Sequence, residues 1–211
     1  MNSTWIDDIR TWASPDLNDD GVTLLGNTLS EIAGQGHIAI PDGHETHIRM
    51  PFADLTRLGM RHALTSDMGI MREMRMVKSD TEVDKIRHAC SIAGNAFDAV
   101  KTFAHVGMTQ SEINRKFQSA CLDAGADNVP YVAMGLGQCG YFDVISPAGD
   151  IRAQTGDILM LDTGLTWDGY YCDYDRNFSF GPADPRAVSA YDRLIDAAAA
   201  GLSAAVAGAT A

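Results

Sequence analysis

Apolar residues recur at intervals of three and four along several stretches of the chain, and this spacing predicts helices with one buried face. The longest stretch follows Ser79-Asp80-Thr81-Glu82, where serine and glutamate can satisfy the free N–H groups of a helix start. A second such start, Thr109-Gln110-Ser111-Glu112, precedes a helix that ends at Gly125. An alanine-rich helix is predicted after Asp184-Pro185. The inward positions expected on the first two helices are Val83, Ile86, Cys90, Ala93, Phe97, Val100, Ile113, Phe117 and Leu122.

The first 76 residues predict a smaller region of mixed helix and strand. Helices are expected over 22–32 and 52–58, and a short strand over 37–40 leads into a Pro41-Asp42-Gly43 turn. The helix-start sequence at residue 79 marks a boundary close behind Val77-Lys78. We therefore expect an α+β chain with two domains, residues 1–76 and 77–211.

From Tyr131 onward the pattern changes to that of strands. Residues 131–134 predict one strand, and the glycines that follow predict an irregular loop over 135–140. Two further strands are predicted over 158–166 and 170–180, on either side of Asp168-Gly169. An Asp-Gly pair between two such strands is typical of a tight β-hairpin.

Three aspartates share one face of this predicted hairpin. With the turn at residues 168–169, Asp162 lies opposite Asp175, and Asp173 is its diagonal neighbour. Like charges so close repel one another unless a cation lies between them, and divalent cations prefer such oxygen ligands. The preference of aspartate for turns is enough to explain Asp168. Asp162, in contrast, lies deep in an apolar strand, where a buried carboxylate needs an interaction partner.

The composition of the chain argues against two classes of binding partner, nucleic acids and membranes. The formal net charge of −12 argues against a nucleic-acid partner, because phosphate binding needs a basic surface. No apolar run reaches the roughly 18 residues of a membrane span, and the first residues lack the pattern of a signal peptide. We therefore expect no membrane partner and a cytoplasmic location. The cysteines form no CxxC pair, which favours reduced thiols, at Cys90, Cys121, Cys139 and Cys172.

The hairpin sequence resembles a known metal-binding segment. The runs GDILMLDTG (156–164) and DGYYCDYDR (168–176) are similar to the first metal-ligand segment of the pita-bread metallopeptidases, the family of Xaa-Pro aminopeptidase, prolidase and creatinase. The family places a second aspartate eleven residues after the first, as Asp162 and Asp173 are placed, and Arg176 matches a basic residue that often follows. Residues 78–100 also resemble the helix that opens the family's catalytic domain.

The resemblance implies both a fold and an activity. Residues 1–76 would be part of a creatinase-type α/β amino-terminal domain, followed by the first half of a pita-bread domain. The full-length protein would be a homodimeric, metal-dependent hydrolase that cleaves a peptide or amide C–N bond in a small substrate. Its two divalent ions would be manganese, iron, cobalt or zinc, with Asp162 and Asp173 as ligands.

The sequence departs from the family pattern in its ligands. The family completes its site with one histidine and two glutamates from later strands, one glutamate acting as general base. The chain has no glutamate after Glu112 and no histidine after His105. We therefore expect the catalytic glutamate and histidine downstream of this chain, and we expect the chain alone to be inactive.

A second departure concerns the substrate. Peptidase members usually carry a histidine in the loop before the Gly-Asp strand, but residues 135–157 contain none. Asp143 or Gln138 could occupy that place beside the substrate. The alternatives left open are a non-peptide substrate, as in relatives similar to creatinase, ectoine hydrolase or dimethylsulfoniopropionate lyase, and an inactive fragment.

Overall fold

The protein is described by a computed structural model that covers residues 4–138 and 140–210. Its internal contacts divide the chain into two compact units, with the boundary between Lys78 and Ser79. Each unit contains both helices and strands. Among the helices that the structure describes, none combines the length and the apolar character that a membrane crossing requires.

The first unit contains a pair of parallel strands. The helices and the strand predicted from the sequence are present, whereas the second strand and the third helix were not predicted. The elements are α1 (Val22–Ala33), β1 (His37–Ile40), α2 (Phe52–Arg61), β2 (Ala63–Ser66) and α3 (Ile70–Met76). The two strands pair over their full length, from His37 beside Ala63 to Ile40 beside Ser66.

The second unit packs two helices against an antiparallel sheet. Strand β4 lies in the middle of the sheet, with β3 on one side and both β5 and β6 on the other. The elements are α4 (Asp80–Phe103), α5 (Gln110–Asp123), β3 (Asn128–Gln138), β4 (Asp157–Trp167), β5 (Tyr170–Tyr171), β6 (Tyr174–Ser179) and α6 (Pro185–Ala204).

Both predicted helix starts are confirmed by reciprocal hydrogen bonds. The Ser79 hydroxyl accepts from the Glu82 N–H while the Glu82 carboxylate accepts from the Ser79 N–H, and Thr109 and Glu112 do the same for α5. The prediction that Leu122 points inward is wrong, because it is 51% exposed. The buried apolar positions of α5 step by four residues from Ile113 through Phe117 to Cys121, which turns Leu122 outward. Similarly, Val83 is 38% exposed, and the buried stripe of α4 begins at Ala89.

The glycine-rich segment after Met134 is a continuation of β3, so the predicted loop over 135–140 is wrong for its first four residues. The strand continues because its glycines make room for the returning chain. A Cβ atom on Gly135 would lie 2.7 Å from the Tyr141 ring, and one on Gly137 would lie 2.6 Å from the Gly140 carbonyl oxygen. Only glycine allows such close approach to a strand.

Helix α6 begins as predicted, with Asp184 as its cap and proline in its first turn. Its apolar residues do not contribute to the core of the unit. They are between 47% and 78% exposed at Val188, Tyr191, Leu194, Ile195 and Leu202.

Candidate metal centre

A two-residue turn sets the register of the predicted hairpin. Trp167 pairs with Tyr170, and the residues between them, Asp168 and Gly169, have φ angles of 47° and 79°. Positive φ at both positions is the conformation that closes a tight hairpin. The Asp168 carboxylate forms an ion pair with Lys85 of α4 at 2.7 Å. The predicted hairpin is therefore confirmed, and its turn is attached to the long helix.

The strand after this turn is interrupted, although its register is kept. The prediction of one continuous strand over 170–180 is wrong at Cys172 and Asp173, which belong to neither β5 nor β6. The pairs on either side of the gap follow one register: Tyr171 with Thr166, Tyr174 with Thr163, and Asp175 with Asp162. That register places Cys172 beside Leu165, whose carbonyl oxygen accepts from the Cys172 N–H at 3.1 Å. It likewise places Asp173 beside Gly164.

Alternation along β4 separates the core from the aspartates. Leu159, Leu161 and Leu165 are fully buried in the cluster formed with α4 and α5. Since neighbouring side chains in a strand point to opposite faces, Asp162 points away from that cluster. We call this side of the sheet the aspartate face; its paired residues on β3 and β4 are Tyr131, Ala133, Gly135, Gly137, Ile158, Met160, Asp162 and Gly164.

Asp162 lies in an environment that disfavours its charge. It stands between Ala133 of β3 and Asp175 of β6. Its Oδ1 atom is buried and finds no hydrogen-bond donor among the described residues. Burial, followed by the negative charges of Asp173 and Asp175, raises the pKa of the Asp162 carboxyl above its ordinary value of 3.8. A bound cation would reverse this effect, because opposite charge favours the ionised form.

Asp173 is exposed and accepts a hydrogen bond from across the sheet. The Tyr131 hydroxyl donates a hydrogen bond to Asp173 Oδ1 at 3.2 Å. Burial, followed by the charges of Asp162 and Asp173, raises the pKa of Tyr131 to about 12. The phenol is therefore protonated near neutral pH and can donate. Sequence reasoning missed Tyr131, because only the pairing of β3 with β4 brings it beside the hairpin.

The three aspartates could supply part of a ligand set for a divalent ion. An unbonded, buried carboxylate oxygen close to two further carboxylates fits the oxygen ligands that divalent ions prefer. Within the described ranges, however, no three side chains of histidine, cysteine, aspartate or glutamate are arranged to hold a metal ion. The predicted sharing of one face is confirmed for Asp162 and Asp175 by their pairing, but the three carboxylates do not by themselves form a complete ligand set.

Asp143 and Gln138, the residues proposed beside the substrate, are engaged in local contacts. The Asp143 carboxylate accepts from the Ile145 N–H at 3.0 Å and from the Ser146 hydroxyl. The hydrogen bond from Ser146, followed by that from Ile145, lowers the pKa of Asp143. Gln138 donates to Asp157 at 3.0 Å. A substrate role for Asp143 stays a prediction.

Three of the four cysteines are free thiols in the structure, Cys90, Cys121 and Cys172, whereas Cys139 lies outside the described residues. Cys172 and Cys121 are buried, and burial raises the pKa of both thiols. Neither is therefore prepared as a thiolate nucleophile.

Comparison with known proteins identifies the family. The family model described as metallopeptidase family M24 matches residues 84–211, which is more than half of the chain. The chain belongs to metallopeptidase family M24. The resemblance inferred from the hairpin sequence and the opening helix is thus confirmed, and so is the α+β fold class.

Relatives of this M24 chain are named as peptidases. It is 30% identical over 157 residues to a probable dipeptidase, PepE, of Mycobacterium tuberculosis. It superposes on a dipeptidase of Pyrococcus horikoshii with a TM-score of 0.73 and 25% identity, over 89% of this chain and 51% of that one. An X-Pro aminopeptidase of Thermotoga maritima has the same fold, with a TM-score of 0.72 and 24% identity, over 84% of this chain and 49% of that one.

The M24 chain is shorter than these relatives. The match to the mycobacterial protein covers 74% of this chain but only 40% of that protein. The chain thus spans about half the length of the relatives that it matches.

Proposed function

We propose that this protein is part of a metal-dependent peptidase that hydrolyses a C–N bond in small peptides, with Asp162 and Asp173 as metal ligands. One observation carries the proposal: a carboxylate oxygen of Asp162 is buried, has no donor among the residues that the structure describes, and lies beside two further carboxylates. Such an arrangement is costly in a metal-free protein and favourable around a cation. The names of the relatives, dipeptidase and X-Pro aminopeptidase, support the substrate class.

The ions of the proposed site would be two divalent metals, of manganese, iron, cobalt or zinc. When bound, such ions polarise a substrate carbonyl and activate water. The role of Asp162 and Asp173 is to bind and orient them. We propose that a histidine and two glutamates, one of them the general base, come from the length that relatives have and this chain lacks. The full-length protein would be a cytoplasmic homodimer, and both properties stay predictions from the sequence.

The test is manganese-dependent hydrolysis of Xaa-Pro dipeptides, and of dipeptides without proline, by the full-length protein. We expect Asp162→Asn and Asp173→Asn each to lower kcat/KM by roughly 100-fold or more, since several kcal/mol of charge stabilisation depend on the ions. Asp123→Asn, on the exposed side of α5, is the matched control and should leave kcat/KM unchanged. Full manganese occupancy without turnover of any peptide would contradict the peptidase assignment.

A non-peptide substrate is a second candidate, favoured by the absence of histidine from residues 135–157. The metal ligands would be the same, and the substrate would be a small amidine, cyclic amine or sulfonium compound. Screening the full-length protein with creatine, ectoine and dimethylsulfoniopropionate separates the two candidates. Turnover of one of these compounds, without turnover of dipeptides, would replace the peptidase assignment.

The chain of 211 residues alone is proposed to be inactive, because its ligand set is incomplete. Calorimetric titration of this chain with manganese tests that statement directly. We expect weak binding of at most one ion. Binding of two ions at micromolar concentration would show that the chain holds a complete site.

A further inference from the structure

Tyr131, Gly164 and Asp173 lie side by side across the sheet. Tyr131 of β3 is paired with Gly164 of β4. On the other side of β4, the hairpin register places Asp173 next to the same glycine. Since directly paired residues point to the same face, Tyr131 and Gly164 both belong to the aspartate face, and the hydrogen bond from the Tyr131 hydroxyl brings the Asp173 carboxylate to that face as well. The tyrosine must therefore pass over the glycine to reach the aspartate.

Gly164 provides the space for that crossing. A Cβ atom at this position would lie 2.8 Å from the Tyr131 Cε1 atom and 3.1 Å from its hydroxyl oxygen. It would also lie 3.2 Å from the Cys172 carbonyl oxygen. The φ angle of Gly164 is not in the left-handed region, so the backbone itself does not require glycine here. The absence of a side chain is what lets the ring lie against β4.

Both ends of the contact are held by hydrogen bonds to backbone carbonyl oxygens. The Thr163 hydroxyl donates to the Tyr131 carbonyl oxygen at 2.8 Å, which fixes the start of the tyrosine side chain. On the hairpin, the Cys172 N–H donates to Leu165 and fixes the residue before Asp173. Asp173 itself lies in the gap between β5 and β6, where its exposed side chain has little packing to restrict its rotamer.

We infer that Tyr131 is the positioning residue for Asp173: its hydroxyl, carried across Gly164, holds one carboxylate oxygen and thereby fixes the orientation in which Asp173 meets a metal ion. The inference rests on the proposed function of Asp162 and Asp173 as ligands. Hydrogen bonds to a ligating carboxylate fix its orientation, and their loss costs about 10–100-fold in metal affinity. Tyr131 does not itself contact the metal or the substrate in this role.

The first measurement is manganese affinity of the full-length protein, followed by electron paramagnetic resonance of the free ion. We expect Tyr131→Phe to raise the Kd for manganese by roughly tenfold. Tyr171→Phe is the matched control, because it also removes a hydroxyl from an exposed tyrosine of the same sheet. It should leave the Kd unchanged. Both variants should melt within about 2 °C of the wild type without metal, since each removes a single hydroxyl at the sheet surface.

The second measurement needs no metal. In crystal structures of the metal-free Tyr131→Phe variant, we expect the Asp173 carboxylate to leave its single orientation. Gly164→Ala should have the same effect on Asp173 while keeping the tyrosine hydroxyl, because the added methyl group displaces the ring. An unchanged Asp173 rotamer in both variants would overturn the inference.

The outcomes separate the inference from the function on which it rests. If Asp162→Asn and Asp173→Asn abolish manganese binding but Tyr131→Phe does not weaken it, the positioning role is wrong and the metal site stands. If the two aspartate variants bind manganese as the wild type does, or if the wild type binds none, the proposed function and the positioning role both fall.

Discussion

The two faces of the same sheet carry side chains with opposite effects on the stability of the fold. On the helix side, Leu159, Leu161 and Leu165 are fully buried among apolar side chains of α4 and α5. On the aspartate face, the residues between these leucines include Asp162, whose charge is opposed by burial and by two neighbouring carboxylates. A single strand thus alternates between positions that stabilise the fold and a position that opposes it. The second kind is expected where function, not stability, determines the residue.

The largest change in the free energy of unfolding should come from a substitution on the helix side of the sheet. Leu161→Ala removes a fully buried side chain and leaves a cavity, so we expect the free energy of unfolding to fall by about 2–5 kcal/mol. Urea unfolding followed by circular dichroism measures it. A loss below about 1 kcal/mol would show that the core is loosely packed, and it would remove the contrast between the faces.

A smaller loss of stability should follow from removing the side-chain cap at the start of α5. Thr109→Ala deletes the hydroxyl that accepts from the Glu112 N–H at 3.1 Å. We expect the free energy of unfolding to fall by about 1 kcal/mol. Thr109→Ser, which keeps an accepting hydroxyl, is the matched control in the same urea experiment and should recover most of the loss.

The smallest change in the free energy of unfolding should be a gain, and it should come from a substitution on the aspartate face. Asp162→Asn removes the repulsion from the directly paired Asp175, so the metal-free chain should gain roughly 0.2–1 kcal/mol at neutral pH. Because the pKa of Asp162 is raised in the folded chain, the wild type loses stability as pH rises from about 3.8 through the folded pKa. Below 3.8 the carboxyl is protonated in both states.

The advantage of Asp162→Asn over the wild type should therefore grow with rising pH and vanish in acid. Unfolding curves of the two chains at several pH values measure this difference, and titrating groups that do not interact with Asp162 cancel in the comparison. Equal stability of the two chains at neutral pH would mean that the repulsion is already relieved, and the argument for a cation at this position would lose its energetic basis.

Sequence reasoning succeeded where local chemistry decides the structure. The caps at Ser79 and Thr109 and the turn at Asp168-Gly169 depend on residues within a few positions of one another, so their patterns are visible in the chain. The pairing of Asp162 with Asp175 followed from the turn alone. These features also position the candidate ligands.

What sequence reasoning missed depends on contacts between distant segments. The extension of β3 through Gly135 depends on Tyr141 returning over the sheet, and the contact of Tyr131 with Asp173 depends on the pairing of β3 with β4. The inward position of Leu122 was wrong for another reason: Leu122 lies five residues after Phe117, whereas the buried positions continue by four to Cys121. The contacts between distant segments are not visible in local spacing.

The turn at Asp168-Gly169 also explains why the two candidate ligands are separated by eleven residues. In a hairpin with a two-residue turn, residues at equal distances from the turn along the two strands lie opposite each other. An eleven-residue interval brings Asp173 within one diagonal step of Asp162 on the same face. With this pairing kept, a single residue inserted between Tyr170 and Asp173 would place Asp173 opposite Thr163, on the leucine side of the sheet. The number of residues between the turn and each carboxylate is therefore as much a part of the site as the carboxylates are.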